Sequence, residues 1–263
     1  MAVIFFLLYT PIAVMVLFSF NGGESTSVMD GLSFQWYFSL LEDPGMLEAL
    51  KNSLWLALSS ATVSTVIGTL AAVGLAKMRS RWFKQTVRSV TNIPMMNPEI
   101  VTGISMMLLF VFISQVIFRQ TDVKFGYFTL LIAHVTFNLP YVILSVSPKI
   151  NQLDKFLPEA AQDLGCTPFV SFLKVELPNL LPAILSGFIM AFTLSLDDFV
   201  ISYFNGGDIY KTLPVLIYTY TKKPVKPDIY ALFTLLVIFI LLLMVLSNLI
   251  SSRGERKERK AKK

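Results

Sequence analysis

Three carboxylates interrupt otherwise apolar stretches of this 263-residue chain: Glu99 and the adjacent pair Asp197 and Asp198. An acid held in hydrocarbon costs about 3 kcal/mol on insertion scales, so it lines a pathway, meets a partner or takes part in chemistry. Intramembrane catalysis would call for a Ser/His pair, two aspartates on separate helices, or a set of metal ligands. The chain offers one histidine, His134, one cysteine, Cys166, and one adjacent aspartate pair. A conventional zinc site and an intrachain disulfide are therefore both out of reach. What remains is the handling of a cationic solute, whose lost hydration carboxylates and aromatic ring faces can replace.

Spacing assigns these acids different surroundings. At 100° per residue, Ser195, Asp198, Ser202 and Asn205 share one helix face, whereas Asp197 points elsewhere with Ser186 and Thr193. Asp198 is thus expected on a pathway, together with Ser195 and Ser202, and Asp197 against a neighbouring helix. A structural ion pair or helix–helix hydrogen bonding is the alternative for the pair. For Glu99, Asn97-Pro98-Glu99 reads as a cap and the first two helical residues, where the helix dipole favours a carboxylate. Alternatively, Pro94 and Pro98 mark a broken helix at a cavity, which would expose Glu99 to solute. His134, four residues before Asn138, reads as an interhelical hydrogen bond, with a proton relay as the alternative.

The elements that position these residues are membrane helices. Hydrophobic residues make up 54% of the chain and charged ones 15%, and the mean hydropathy is +0.65, which together exclude an ordinary soluble domain. A hydrocarbon core of about 30 Å needs about 20 apolar residues per crossing. Six stretches qualify: Ala2 to Phe20, Leu54 to Ala76, Ile93 to Phe118, Phe125 to Val146, Leu180 to Phe204 and Ile229 to Ser251. The fold class expected is therefore all-α integral membrane with six transmembrane helices.

Basic residues orient them. The link Lys77 to Arg88 holds five bases and no acid, and the tail from Arg253 to Lys263 holds seven bases against two glutamates, so both are expected in the cytoplasm. With six spans the N-terminus is cytoplasmic too. The outer segment from Asn21 to Asn52 fits, with Lys51 against Glu24, Asp30, Glu42, Asp43 and Glu48. The last outer loop dissents through Lys211, Lys222, Lys223 and Lys226, yet 15 of the 22 bases still fall inside. In this setting the net charge of +5 concerns orientation, and no nucleic-acid partner is expected. The first span lacks the basic leader and cleavage pattern of a signal peptide and reads as a retained helix. With no base before it, a few upstream residues are expected to be missing. Ser33 can cap a short helix whose Phe34, Trp36, Tyr37 and Phe38 suit the membrane interface. The domain plan is residues 1–47 for the first helix and external segment, 48–251 for the membrane core including the polar segment 151–178, and 252–263 for the basic tail.

Between the fourth and fifth spans, residues 151–178 are too polar to cross and carry strong local punctuation. Pro158 suits the first turn of a helix through Glu159, Ala160 and Ala161; Gly165 ends it; Thr167 and Pro168 begin a second with Phe169 and Phe172, running into Leu177 and Pro178. Small alanines that permit close approach and phenylalanines available for burial suit a groove on a soluble partner.

The run Glu159-Ala160-Ala161, then Gly165, Phe172, Val175, Leu177 and Pro178, resembles the EAA loop of type I ABC-importer permeases. This resemblance implies the MetI-like fold and a coupling helix that contacts a separate ATPase. Phe192 to Val200, with Pro98-Glu99-Ile100-Val101 and Leu139-Pro140-Tyr141, resembles the PotC-type spermidine/putrescine permeases within that family. The partners so implied are an ABC ATPase dimer (PotA-like), a second permease subunit (PotB-like), an extracytoplasmic polyamine-binding protein (PotD-like) and membrane lipid. ATP and Mg would reside in the ATPase, with no cofactor in this chain, which has no Gly-x-x-x-x-Gly-Lys-Ser/Thr phosphate loop. The chain is then expected to be a transport subunit and not an enzyme, in a bacterial cell membrane. The alternatives are a permease for another small cationic or chelated solute, and an ion-coupled secondary transporter.

Overall fold

The computed structural model describes residues 2–245, apart from 24, 26–27, 118, 120–123, 155, 223–227, 240 and 243–244. The basic tail 252–263, the end of the sixth expected span, Glu24, Lys223 and Lys226 lie outside the described residues.

The described residues are helical, with one isolated antiparallel bridge between Asn21 and Leu32. In chain order the helices are α1 (Ala2–Phe18), α2 (Gln35–Glu42), α3 (Pro44–Lys77), α4 (Arg81–Met96), α5 (Glu99–Phe112), α6 (Tyr127–Gln152), α7 (Leu157–Asp163), α8 (Pro168–Ser171), α9 (Leu177–Asp197), α10 (Val200–Asn205), α11 (Leu213–Thr221) and α12 (Asp228–Phe239). Two π-helical segments interrupt the series, Ile113–Ile117 after α5 and Phe172–Glu176 between α8 and α9. Four stretches are long and apolar enough to cross a membrane: Pro44–Lys77, Glu99–Ile117, Tyr127–Gln152 and Pro168–Asp197. Phe6–Phe18 and Asp228–Phe239 are shorter apolar helices.

Two of the expected spans are interrupted by a break. The third span does not begin at Ile93: α4 runs to Met96, the chain turns at Asn97 and Pro98, and a fresh helix starts at Glu99. Asn97 closes α4, and Pro98 takes the cap position of α5, so Glu99 is the first helical residue. The fifth span does not continue to Phe204, because α9 ends at Asp197 and α10 begins at Val200.

Two compact units share the chain, which passes from one to the other along α3. The first comprises residues 1–54 and 210–245. Its core joins Leu40, Met46 and Ala49 to Leu213, Ile217, Ala231 and Leu232. The Ser53 hydroxyl accepts from the Leu213 N–H at 2.7 Å, and the Tyr210 hydroxyl donates to the Asn52 carbonyl at 2.9 Å. Beside α1, buried Asn21 organises its loop: its amide donates to the Ser25 and Val28 carbonyls, and its carbonyl group accepts from the Asp30 N–H. Such pairing is what allows a polar side chain to be fully enclosed. Ser33 does not take the expected cap position of α2, which Phe34 occupies, but accepts from the Gln35 N–H just beside it.

The second unit, from Trp55 to Ile209, holds the residues of functional interest. On α3 a stripe of small residues, Ser60, Ser64, Gly68 and Ala72, recurs every fourth position and is wholly buried. Small residues at this spacing let membrane helices approach closely. At Gly68 the approach is tightest: an added Cβ would sit 2.7 Å from Val142 Cγ1 on α6. Farther along, Val142 and Val146 of α6 pack with Ala191 of α9, and the Ser145 hydroxyl donates to the Ala183 carbonyl at 3.0 Å.

Candidate functional site

The loop from Asn151 to Pro178 folds as two short helices, each ended or begun by the residue types that local chemistry demands. Pro158 occupies the first turn of α7, where its missing N–H costs nothing. At the far end Gly165 adopts φ +90, the left-handed region that glycine enters without a Cβ penalty. This bend lets the Cys166 N–H donate back to the Ala161 carbonyl at 3.1 Å and the Gly165 N–H to the Gln162 carbonyl at 2.8 Å, a Schellman closure. Thr167 then caps α8, its hydroxyl accepting from the Val170 N–H at 3.4 Å.

The two helices are tied to each other and to α3. Buried Ser171 donates to the Pro158 carbonyl at 3.2 Å, and Ala161 is buried in the same junction. Beyond α8 the chain widens into the π-helical segment Phe172–Glu176, in which the Leu177 N–H reaches the Phe172 carbonyl. Pro178 lacks the N–H that would have served the Lys174 carbonyl, and the Asn179 side chain donates to the adjacent Val175 carbonyl at 2.7 Å. Lys77, at the end of α3, reaches this segment twice: its Nζ lies 2.8 Å from Glu176 Oε1 and 5.7 Å from the centre of the Phe172 ring. A cavity of about 470 Å³ opens beside this junction, lined by Val73, Lys77, Asn151, Leu157, Glu176 and Asn179 among others.

Of the expected coupling residues, Glu159, Ala160, Gly165, Phe169 and Pro178 are exposed, Phe172 and Leu177 are half-buried, and Ala161 is buried. Phe172 is therefore committed to the α3 junction. Sequence reading missed Phe156 and Leu164, which lie 71% and 87% exposed on the same loop. Their signal was available: each is a large apolar residue in a segment otherwise too polar to cross.

The second group of residues meets around the break between α9 and α10. Asp198 adopts an extended conformation, and its carboxylate accepts from the Ile201 N–H at 3.2 Å and the Ser202 N–H at 2.8 Å. It thereby caps α10, satisfying donors that a helix start leaves without partners. From α6, His134 brings Nε2 to 3.5 Å from Asp198 Oδ2 and 3.2 Å from the Ser202 hydroxyl. One turn on, Asn138 donates to the Ser195 hydroxyl at 2.7 Å, to which Ser60 of α3 also donates, at 2.9 Å. Asn205 donates to the Gly103 carbonyl of α5 at 3.1 Å.

Ser195, Asp198, Ser202 and Asn205 do share one side, but that side is packed against α5 and α6. Asp198 is 7% exposed, whereas Asp197 is exposed. Asp198 is thus the enclosed member of the pair and Asp197 the exposed one, because the helix ends between them and the side chain of Asp198 turns inward to cap. Glu99 is exposed as well, and its charge acts on both Asp197 and Tyr141. Tyr141 in turn packs on Phe137, with ring centres 5.4 Å apart. The exposed acids and their aromatic neighbour make a surface suited to positive charge.

Comparison with known proteins agrees with this architecture. Residues 64–260 match the family described as binding-protein-dependent transport system inner membrane component. The chain is 39% identical over 230 residues to the putrescine transport system permease protein PotI of Escherichia coli (strain K12), covering 88% of this chain and 81% of that protein. It is 37% identical over 234 residues to the spermidine/putrescine transport system permease protein PotC of the same organism, covering 89% and 85%. Its fold is similar to that in the crystal structure of a bacterial ABC transporter involved in alginate import, with a TM-score of 0.72, 15% identity, and 97% of this chain and 92% of that one covered. A helical membrane bundle with a glycine-closed helix pair on one end, matched over three-quarters of its length by the family model, belongs to the binding-protein-dependent transport system inner membrane components.

Proposed function

We propose that this chain is one of two permease subunits of an ATP-driven importer of polyamines, spermidine or putrescine, which it passes across the membrane by alternating access. The observation that carries the choice of cargo is the exposed pair Glu99 and Asp197 beside Tyr141, together with relatives at 37–39% identity whose names specify polyamines. Two carboxylates within electrostatic reach of each other repel, and a linear cation with separated ammonium groups relieves that repulsion.

The coupling loop supplies the energy input. An ABC ATPase dimer, PotA-like, would hold ATP and Mg and seat its groove over Phe156, Glu159, Ala160, Leu164 and Phe169. Closure of the ATPase would move the helix pair and, through it, the spans. A PotB-like second permease would complete the pathway, and a PotD-like extracytoplasmic binding protein would deliver cargo from the other face. Six spans with both termini on the coupling-loop side, in a bacterial cell membrane, fit the distribution of bases. Asp198, Ser195 and Ser202 would act on the pathway indirectly, by holding the α9–α10 break.

The deciding experiment is reconstitution with the co-encoded ATPase, second permease and binding protein, followed by ATPase assays with a panel of solutes. Spermidine or putrescine should stimulate hydrolysis and accumulate inside vesicles. Stimulation by a sugar or an anionic solute alone would refute the choice of cargo. Uptake that continued without the ATPase and followed an ion gradient would refute the importer class.

A further inference from the structure

The segment from Lys77 to Met96 carries Lys77, Arg79, Arg81, Lys84 and Arg88 and no acid. Ser80 caps α4, its hydroxyl accepting from the Phe83 N–H at 3.4 Å. No residue of α4 is buried. Successive residues turn by 100°, so Trp82, Phe83, Val90 and Ile93 form one side, and Arg81, Lys84 and Arg88 the opposite edge. The half-buried residues Val87, Thr91 and Pro94 fall between these two, half-buried Met95 falls on the basic edge between Lys84 and Arg88, and the helix settles on α6. Lys84 is used within the fold, donating to the Ala76 carbonyl at 3.4 Å. Trp82 is 78% exposed, and Arg79, Arg81 and Arg88 form no ion pair among the described residues.

This helix is not required to cross the membrane. Glu99–Ile117 is itself a 19-residue candidate span, about 28 Å long at helical rise. It follows the break at Asn97 and Pro98, and α3 ends at Lys77 just before α4 begins. An amphipathic helix with a tryptophan on its apolar side and bases on its polar edge lies in the membrane interface, and clustered bases beside a span attract anionic lipid. Covering the same face with an apolar protein surface would strip water from the arginines without giving them partners.

We propose that α4 is an in-plane element that binds the headgroups of anionic phospholipids through Arg79, Arg81 and Arg88 while Trp82, Phe83, Val90 and Ile93 enter the acyl boundary. The lipid thereby fixes the connection between the spans α3 and α5. This goes beyond transport of any particular cargo and is independent of which solute is carried.

The test uses the assembled transporter in nanodiscs of phosphatidylcholine containing phosphatidylglycerol, with one lipid or the other dibrominated at equal mole fraction. The quenching owed to Trp82 is the difference between the wild type and Trp82→Phe. It should be about threefold stronger with brominated phosphatidylglycerol than with brominated phosphatidylcholine, and the preference should fade with added salt. The combined change Arg79→Gln, Arg81→Gln, Arg88→Gln should remove the preference, whereas lysine at the same three positions should retain it. Equal quenching by the two wild-type samples would reduce α4 to ordinary lipid contact and overturn the proposal. So would the absence of quenching by either lipid, since the helix would then be covered by a protein subunit. The wild-type comparison stands even if the glutamine variant fails to assemble.

Discussion

Lys77 Nζ lies 2.8 Å from Glu176 Oε1, joining the last turn of α3 to the π-helical segment that leads out of the coupling loop. The glutamate is almost wholly buried and the lysine more than half exposed, so the pair stands at the edge of the protein. Movement of the loop would thereby be passed to α3 through this ion pair, and the Phe172 ring packs beneath the same ammonium. Replacing Lys77 by Met should strand the Glu176 carboxylate at a stability cost of about 1 kcal/mol, kept small by the solvent around Lys77. Its larger effect should be functional: ATP hydrolysis in the reconstituted transporter should persist while uptake per ATP falls several-fold. Exchanging the two residues, Lys77→Glu with Glu176→Lys, should recover part of that coupling, and a swap no better than the single variants would remove the pair from the transmission path.

Leu164 and Phe156 should prove as important to ATPase docking as the residues of the motif itself. Apolar side chains this exposed contribute most when they fill a partner's pocket. Leu164→Glu should cut co-purification of the ATPase about tenfold while leaving the melting of the isolated permease in detergent unchanged. Gly165→Val tests a separate property, because φ +90 strains a branched residue by about 1–2 kcal/mol and would unlatch the Schellman closure. Proteolytic nicking of the loop should rise in that variant.

Gly68 has no room for a side chain. Gly68→Val should force α3 and α6 apart at Val142 and destabilise the bundle by about 1–3 kcal/mol, read as a lower melting temperature in detergent. Adding Val142→Ala should restore part of the loss. Unaltered melting in the single variant would mean that the helices are not held at this distance in the membrane.

The acids divide into two roles that kinetics can separate. Glu99→Gln and Asp197→Asn should each raise the KM for polyamine uptake about tenfold with little change in assembly, as expected on losing a charge-assisted contact. Asp198→Ala should leave the Ile201 and Ser202 N–H groups without acceptor, at about 1–3 kcal/mol each, and act first on stability. Cargo affinity lost with Asp198→Ala at unchanged melting would return Asp198 to the pathway.

The loop was legible in the sequence because its signals are local. Pro158, Gly165 and Thr167 each act within one turn of where they sit, and their chemistry does not depend on distant packing. The α9–α10 break was not legible, since neither Asp198 nor Phe199 is a proline or glycine, and an aspartate inside an apolar run reads equally as a lining residue. Only the tertiary partners on α5 and α6 decide that Asp198 turns inward as a cap. At Pro98 the punctuation was visible, but hydropathy continued across it, so the end of α4, from Ile93, was merged into the following span. The separate existence of α4 rests on the bases of its first half and on a face left exposed among the described residues.

The close contact at Gly68 also sets a mechanical ratio. Nine residues, about 14 Å, separate it from Lys77, and thirteen residues, about 20 Å, separate it from Trp55. If α3 rocks about this point as a stiff rod, it is a lever with unequal arms, and a push delivered at Lys77 emerges at Trp55 enlarged by about two-fifths. A glycine chosen for fit would then also determine how far α3 swings at Trp55 for a given displacement at Lys77.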